Sequence, residues 1–360
     1  MSGSRTIALF GSSLVSSYWN GAATYYRGVL QALAANGHRI TFYEPDAFDR
    51  QKHRDIPDPD WARIVIYPAT EDGVDRALEQ ARDADLLVKA SGVGVFDRLL
   101  EERVPGLRRD GALALFWDVD APATLERIGS DPADPFHALI PQYDIVFTYG
   151  GGPPVVAAYE AFGARVCVPI YNGLDPSTHH PAPPEPRFGC DLGLVANRLP
   201  DRERRIEEFF LAAAAELHDR RFLLAGAGWG DKPMPRNVGY IGHLYTADHN
   251  AFNASCLAVL NVSRDSMASN GYSPATRVFE AAGAGACLIT DAWEGIDLFF
   301  EPGSEILVAE NGPAVADHLA RLSPAEARRI GDAARRRALA EHTYTQRVRL
   351  VEDVLVGRLP

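Results

Sequence analysis

Short apolar runs alternate with helical stretches along almost the whole chain, and the rhythm breaks only once. RTIALFG, HRITFYEP, ADLLVKAS, ALALFWDVD, YDIVFTYG and ARVCVPIYN read as strands before the break. CDLGLVAN, RFLLAGAGW, CLAVLNVS and ACLIT read as strands after it. Runs apolar on successive positions suit strands covered on both faces, and helical stretches between them supply the cover. The reading is therefore an α/β chain of doubly wound parallel sheets. The first helix is expected over about Ala22–Asn36, with Gly37 as its stop. Ser323, Pro324 and Glu326 form a capping-box start for a late helix, and a last helix is expected over about Tyr344–Val356.

The break is NGLDPSTHHPAPPEPR, residues 172–187, with five prolines and little to bury. It reads as a linker. The expected organisation is an N-terminal domain over 1–172, a linker over 173–187, a second domain over 188–342 and a closing helix over 343–360 that crosses back to the first domain. Two α/β halves so joined imply a cleft, with ligands beyond the carboxyl ends of the strands.

Composition narrows the partners. The formal net charge of −12 suits a nucleic-acid backbone poorly. The basic runs at Arg202–Arg205 and Arg335–Arg337 sit among acids and read as solvated helix faces. None of the four cysteines is in a C-x-x-C pair, which argues against zinc or a disulfide framework and for a reducing compartment. No stretch approaches the roughly 20 apolar residues of a membrane span, and the N-terminus lacks a secretion signal, so a cytoplasmic protein is expected.

Several segments carry candidate chemistry. In NGYSPATRVFEAAGAGACLITD, Ser273 reads as the cap and Pro274 as the first residue of a helix running to about Gly283. Its free N–H groups form an anion site, Arg277 could add a charged fork, and Glu280 at i+3 suits the hydroxyls of a ribose. The competing reading is a surface ion pair. Arg198, Arg202, Arg204 and Arg205 follow a strand and could neutralise a diphosphate, or could simply be basic residues at an exposed helix end. Asp118 and Asp120 close a strand, where they could hold a metal, supply a general base or cap the turn before Pro122. The first loop, with Ser12, Ser13, Asn20 and Gly21, is not a G-x-G-x-x-G fingerprint and offers no base. Glu44 is the nearest acid to the usual ribose position, and small residues here suit a close approach. His179 and His180 read as solvated linker histidines.

With these residues in view, TRVFEAAGAGACLITD…GIDLFFEPGSEILV, HTYTQR, YDIVFTYG and VPIYNGLDPSTHHP together resemble the GT-B glycosyltransferases, and within them the spore-maturation-protein-like (CgeB-like) group. The resemblance implies two Rossmann-like domains facing a cleft, the acceptor on the first and a nucleotide-sugar donor, UDP-linked above all, on the second. It implies that Glu280 contacts the ribose, that Asn270, Gly271, Tyr272 and Ser273 lie near the diphosphate or sugar, and that Arg198 with Arg202 or Arg204 neutralises the diphosphate. Gly242 and His243 would lie beside the base. A retaining, metal-independent transfer without a cofactor is implied, with Asp120 or Asp118 as base or acceptor contact. Tyr272 departs from the pattern, because many retaining relatives carry a second Glu there. A sugar-nucleotide epimerase and a non-catalytic nucleotide-sugar binder are the rivals; acceptor and oligomeric state have no signature.

Overall fold

A computed structural model describes residues 3–18 and 20–358, with Asp201 by its backbone alone. The chain divides into two compact units, Met1–Asn172 with Tyr344–Pro360, and Gly173–Thr343.

The first unit holds β1 Thr6–Phe10, β2 Arg39–Asp46, β3 Ala62–Pro68, β4 Leu86–Ala90, β5 Leu113–Asp118, β6 Ile145–Thr148 and β7 Cys167–Pro169. They form one parallel sheet in the order β3-β2-β1-β4-β5-β6-β7. The order reverses between β1 and β4, the switch point beyond which such sheets bind ligands. Alternate side chains feed opposite faces: Ile7 and Leu9 join one apolar cluster, Ala8 and Phe10 another. The closing helix, Tyr344–Leu355, packs in the first of these clusters against helix Ala23–Ala35. A Cβ on Gly28 would stand 2.1 Å from the Tyr344 ring, so only glycine admits that ring.

The second unit holds β8 Cys190–Val195, β9 Phe222–Ala225, β10 Val238–Tyr240, β11 Cys256–Asn261, β12 Leu288–Asp291 and β13 Leu307–Ala309. Their order is β10-β9-β8-β11-β12-β13, again parallel, with the switch between β8 and β11. The proline-rich segment belongs to this unit and is anchored while its prolines stay exposed: Leu174 pairs with Thr343 in a parallel bridge, and both Leu174 and His179 are buried. Ser323 caps helix Pro324–Glu341 by accepting from the Glu326 N–H at 3.2 Å.

Cys190 and Cys256 are register partners on neighbouring strands, with their sulfurs 3.2 Å apart. Sequence spacing could not show this pair, which lies 66 residues apart along the chain. Strand neighbours about 4.8 Å apart lie within the Cα range a disulfide spans. The hydrogen bond with Cys190 and burial push the Cys256 thiol up. Oxidised glutathione is expected to convert the two thiols to a disulfide, itself leaving as two thiols. Intact mass should fall by two hydrogens and the titratable thiols of the unfolded chain should drop from four to two. A Cys190→Ser variant that still lost two thiols would refute the pairing.

Candidate functional site

At the carboxyl end of β11 the chain passes through helix Asp265–Asn270 into a bend at Gly271 and Tyr272 with φ of +64° and +46°. A tyrosine in this region costs about 1–3 kcal/mol and needs bracing. Glu294 supplies it: its carbonyl accepts the Tyr272 N–H at 2.6 Å and its carboxylate the Tyr272 hydroxyl at 3.0 Å. The Tyr272 ring fills the space that a Cβ on Gly295 would need. Tyr272, the departure from the family pattern, is thus a strut of this loop. Asn270 ends the short helix before it.

The helix expected to start at Ser273–Pro274 starts later, at Thr276, and runs to Ala284. After the bend, the chain needs Ser273 to Ala275 as a lead-in, and Ala275 is extended (ψ 149°) at the cap position without a side-chain cap. Ser273 is buried. Gly285, at φ +76°, ends the helix.

Arg277 and Glu280 lie on this helix and are not the surface ion pair of the competing reading. Glu280 is 8% exposed. Among the described residues no donor hydrogen-bonds its carboxylate; His179 Nε2 lies 3.8 Å away. Arg277, partly buried, likewise has no hydrogen-bond or ion-pair partner among them. Burial pushes the Arg277 guanidinium down from its ordinary value, yet it stays a cation at neutral pH. Burial alone would raise the Glu280 carboxyl, but the charges of His179, His249 and Arg277 outweigh it and hold it below the usual range. A buried carboxylate and a cation on one helix face, neither satisfied within the protein, form a site prepared for something else.

Two histidines complete the cluster, and sequence reasoning missed both. His179 was expected in solvent; it is 4% exposed. The cause is Gly283: a Cβ there would meet Leu174 at 2.4 Å and the His179 carbonyl at 2.7 Å, so the bare helix face lets residues 174–179 lie against it. His180 is exposed as expected, and its N–H reaches Asn250 Oδ1 at 3.2 Å. His249 sits in the first turns of helix Thr246–Ser255, and burial lowers its pKa to about 4. Ligand atoms of His179, His249 and Glu280 all lie within 4.8 Å of one another. The glycine inside AAGAGA was the available signal, but its partner lies about a hundred positions away.

Gly242 has φ +73° and its carbonyl accepts the Gly226 N–H at 2.6 Å. His243 is exposed and meets Tyr245 edge-on at 4.7 Å. The next residue, Leu244, offers its backbone to a hydrogen bond from His249 and so ties this segment to the cluster.

The arginines after β8 are largely occupied. Arg198 pairs with Glu203 at 2.8 Å and Asp231 at 2.9 Å. Arg204 is exposed and pairs with Asp265 at 3.2 Å. Arg202 is partly buried in the first turn of helix Pro200–Ile206. Arg205, also a candidate for the diphosphate, instead holds the buried Asp291 at 2.6 Å, and Asp291 also accepts from the Ser263 N–H and hydroxyl. That network fixes the ends of β11 and β12 below the helix bearing Glu280.

In the first unit, Asp118 is fully buried and saturated. It accepts from the Ser91 hydroxyl at 2.6 Å, the Asp120 N–H at 3.0 Å, the Thr124 hydroxyl at 3.1 Å and the Tyr159 hydroxyl. This geometry favours the turn-holding reading over a base. Asp120 is partly exposed at the cap position of helix Ala121–Ser130. The first loop is a closed network: Ser12 donates to Asn20, Ser13 to Glu44, and Asn20 to the carbonyls of Ser13 and Ser16. Glu44, buried and therefore raised in pKa, also accepts the Leu14 N–H. It organises this loop from below; Gly21 is exposed.

No described helix is long and apolar enough to cross a membrane. A search of the curated proteins finds no match. The glycosyl transferase-like family model matches residues 202–353. Among solved structures the chain is similar to sucrose-phosphate synthase from Thermosynechococcus elongatus, at 15% identity over 98% of each chain with a TM-score of 0.69. HepE of Anabaena in complex with UDP-glucose superposes with a TM-score of 0.70 at 13% identity, over 98% of this chain and 100% of the other. An alpha-glucosyltransferase in complex with UDP and DNA gives 0.72 at 11% identity, over 98% and 100%. Residues 202–353 therefore match the glycosyl transferase-like family model, in a chain that folds along nearly its whole length as the GT-B glycosyltransferases do.

Proposed function

We propose that this protein transfers a sugar from a nucleoside-diphosphate sugar, UDP-linked above all, to an acceptor hydroxyl. The single observation that carries the reading is the unsatisfied pair Arg277 and Glu280 on helix Thr276–Ala284, inside the segment matched by the family model. The uncapped N-terminus of that helix and Arg277 would take the diphosphate, and Glu280 the ribose. As the bond from the anomeric carbon to the leaving phosphate oxygen breaks, negative charge grows on the diphosphate, where fixed N–H dipoles and a guanidinium act most strongly. Arg198, with Arg202 or Arg204, would join them by exchanging a local carboxylate for the phosphate.

The acceptor would bind the first unit, with the partly exposed Asp120 taking its hydroxyl proton as the new bond to the anomeric carbon forms. Asn270 to Ser273 would border the sugar, and Gly242 with His243 the base. A retaining, metal-independent transfer in a cytoplasmic CgeB-like protein is the fuller form of this reading.

Calorimetry with UDP, GDP and ADP, followed by assay of nucleotide release from the matching UDP-, GDP- or ADP-sugar with a panel of hydroxyl acceptors, tests it. Acceptor-dependent release is the expected result. Acceptor-independent conversion of the donor into its epimer would replace transfer with epimerisation, and binding of none of the three nucleotides would refute the reading.

A further inference from the structure

We propose that His179 and His249 complete, with Glu280, a pocket for the 2′-hydroxyl of the nucleotide, and that this pocket restricts the donor to ribonucleotides. The inference rests on the donor reading above and narrows it: a deoxythymidine diphosphate sugar would be excluded.

The geometry is specific. Three atoms no more than 4.8 Å apart leave a point within about 2.8 Å of all of them, a hydrogen-bond length. The inner nitrogens, His179 Nε2 and His249 Nδ1, are buried and have no hydrogen-bond partner. His179 Nδ1 lies 3.0 Å from the Thr178 hydroxyl. A neutral His249 can offer the lone pair of its unpartnered Nδ1 to a ligand. Beside it stands the Glu280 carboxylate. A ribose diol has two O–H protons to donate, and these are two acceptors for them. A deoxyribonucleotide would leave one buried acceptor unmet, the situation in which polar sites discriminate most.

Two imidazoles and a carboxylate also describe a transition-metal site. The surrounding charge opposes it. Arg277, one turn from Glu280 and without an ion-pair partner among the described residues, together with the N-terminus of the same helix, gives a positive field. Such a field repels a divalent cation and attracts a ligand that carries a diphosphate.

The test is calorimetry of the full chain with UDP and 2′-deoxy-UDP, and with GDP and ADP and their 2′-deoxy forms. Wild type is expected to prefer the ribonucleotide by about a hundredfold. In His249→Ala and His179→Ala the preference should fall to about fivefold or less, chiefly through weaker ribonucleotide binding. His249→Asn, which keeps a polar group, serves if the alanine variant melts early. Equal affinity of wild type for the two forms, or an unchanged preference in folded variants, would overturn the inference while leaving the donor reading intact. Failure of every nucleotide to bind would overturn both. Uptake of one equivalent of zinc by wild type in the absence of nucleotide, lost in His249→Ala, would overturn it in favour of a cation site.

Discussion

Glu280→Ala is expected to weaken nucleoside-diphosphate binding by about a hundredfold and to change the stability of the folded protein little. The two halves of the expectation have one origin. The carboxylate is buried, no donor among the described residues hydrogen-bonds it, and His179 Nε2 lies 3.8 Å away. Its desolvation is offset by the electrostatic attraction around it and not by hydrogen bonds, so truncation removes a cost and its compensation together. In the complex, a ribose hydroxyl donating to this carboxylate is worth up to about 3 kcal/mol, or roughly a hundredfold in affinity. A structural ion pair with Arg277 would behave in the opposite way: the melting temperature would drop and affinity would hold. Calorimetry and thermal melting on the same variant separate the two. Arg277→Ala should also weaken the diphosphate but spare binding of the free nucleoside, since its charge serves the phosphates.

Asp118→Ala is expected to destabilise the first unit by about 3–5 kcal/mol, because it strands several buried partners of a carboxylate at once. The hydroxyls of Ser91, Thr124 and Tyr159 all point at this group, and so does the N–H of Asp120. The Ser91 and Tyr159 hydroxyls would lose their acceptor, and Thr124 would keep only the longer bond to the Asp120 carbonyl at 3.4 Å. The measurement is the lowest thermal transition of the full chain, compared with Asp118→Asn, which preserves shape and should lose less. If Asp118→Ala melted like wild type yet lost turnover, Asp118 would be the base and the turn-holding role would be wrong. Asp120→Ala, by contrast, removes a partly exposed side chain and should cost little stability while lowering turnover.

Most strands were legible because each central strand is covered on both faces and reads as an unbroken apolar run. Those missed are edge strands. β3, ARIVIYP, carries the exposed Arg63 near its start and has only Tyr67 buried, and β10 and β13 are three residues long. An edge strand has one neighbour and thinner cover, so little in its sequence marks it. The helix of the site was legible as a helix but not in its start. Ser273 and Pro274 are good capping residues locally, yet the bend at Tyr272, anchored by Glu294, takes three residues to resolve before Thr276. Local preference yielded to a contact 22 residues away.

The sequence by itself determined the class of fold, the doubling of the α/β rhythm and the two residues, Arg277 and Glu280, at the centre of the candidate site. These follow from periodicity and from charge on an apolar helix, which are properties of neighbours along the chain. Tertiary structure decided which charges are already used and which are not. Arg198 finds Glu203 and Asp231, and Asp118 finds four donors. Arg277 and Glu280 find no such partners, and His179 is drawn from a proline-rich stretch into the cluster by the missing side chain of Gly283. Whether a polar group is satisfied depends on atoms brought close in space from distant parts of the chain. The pattern of residue types along the sequence does not contain that.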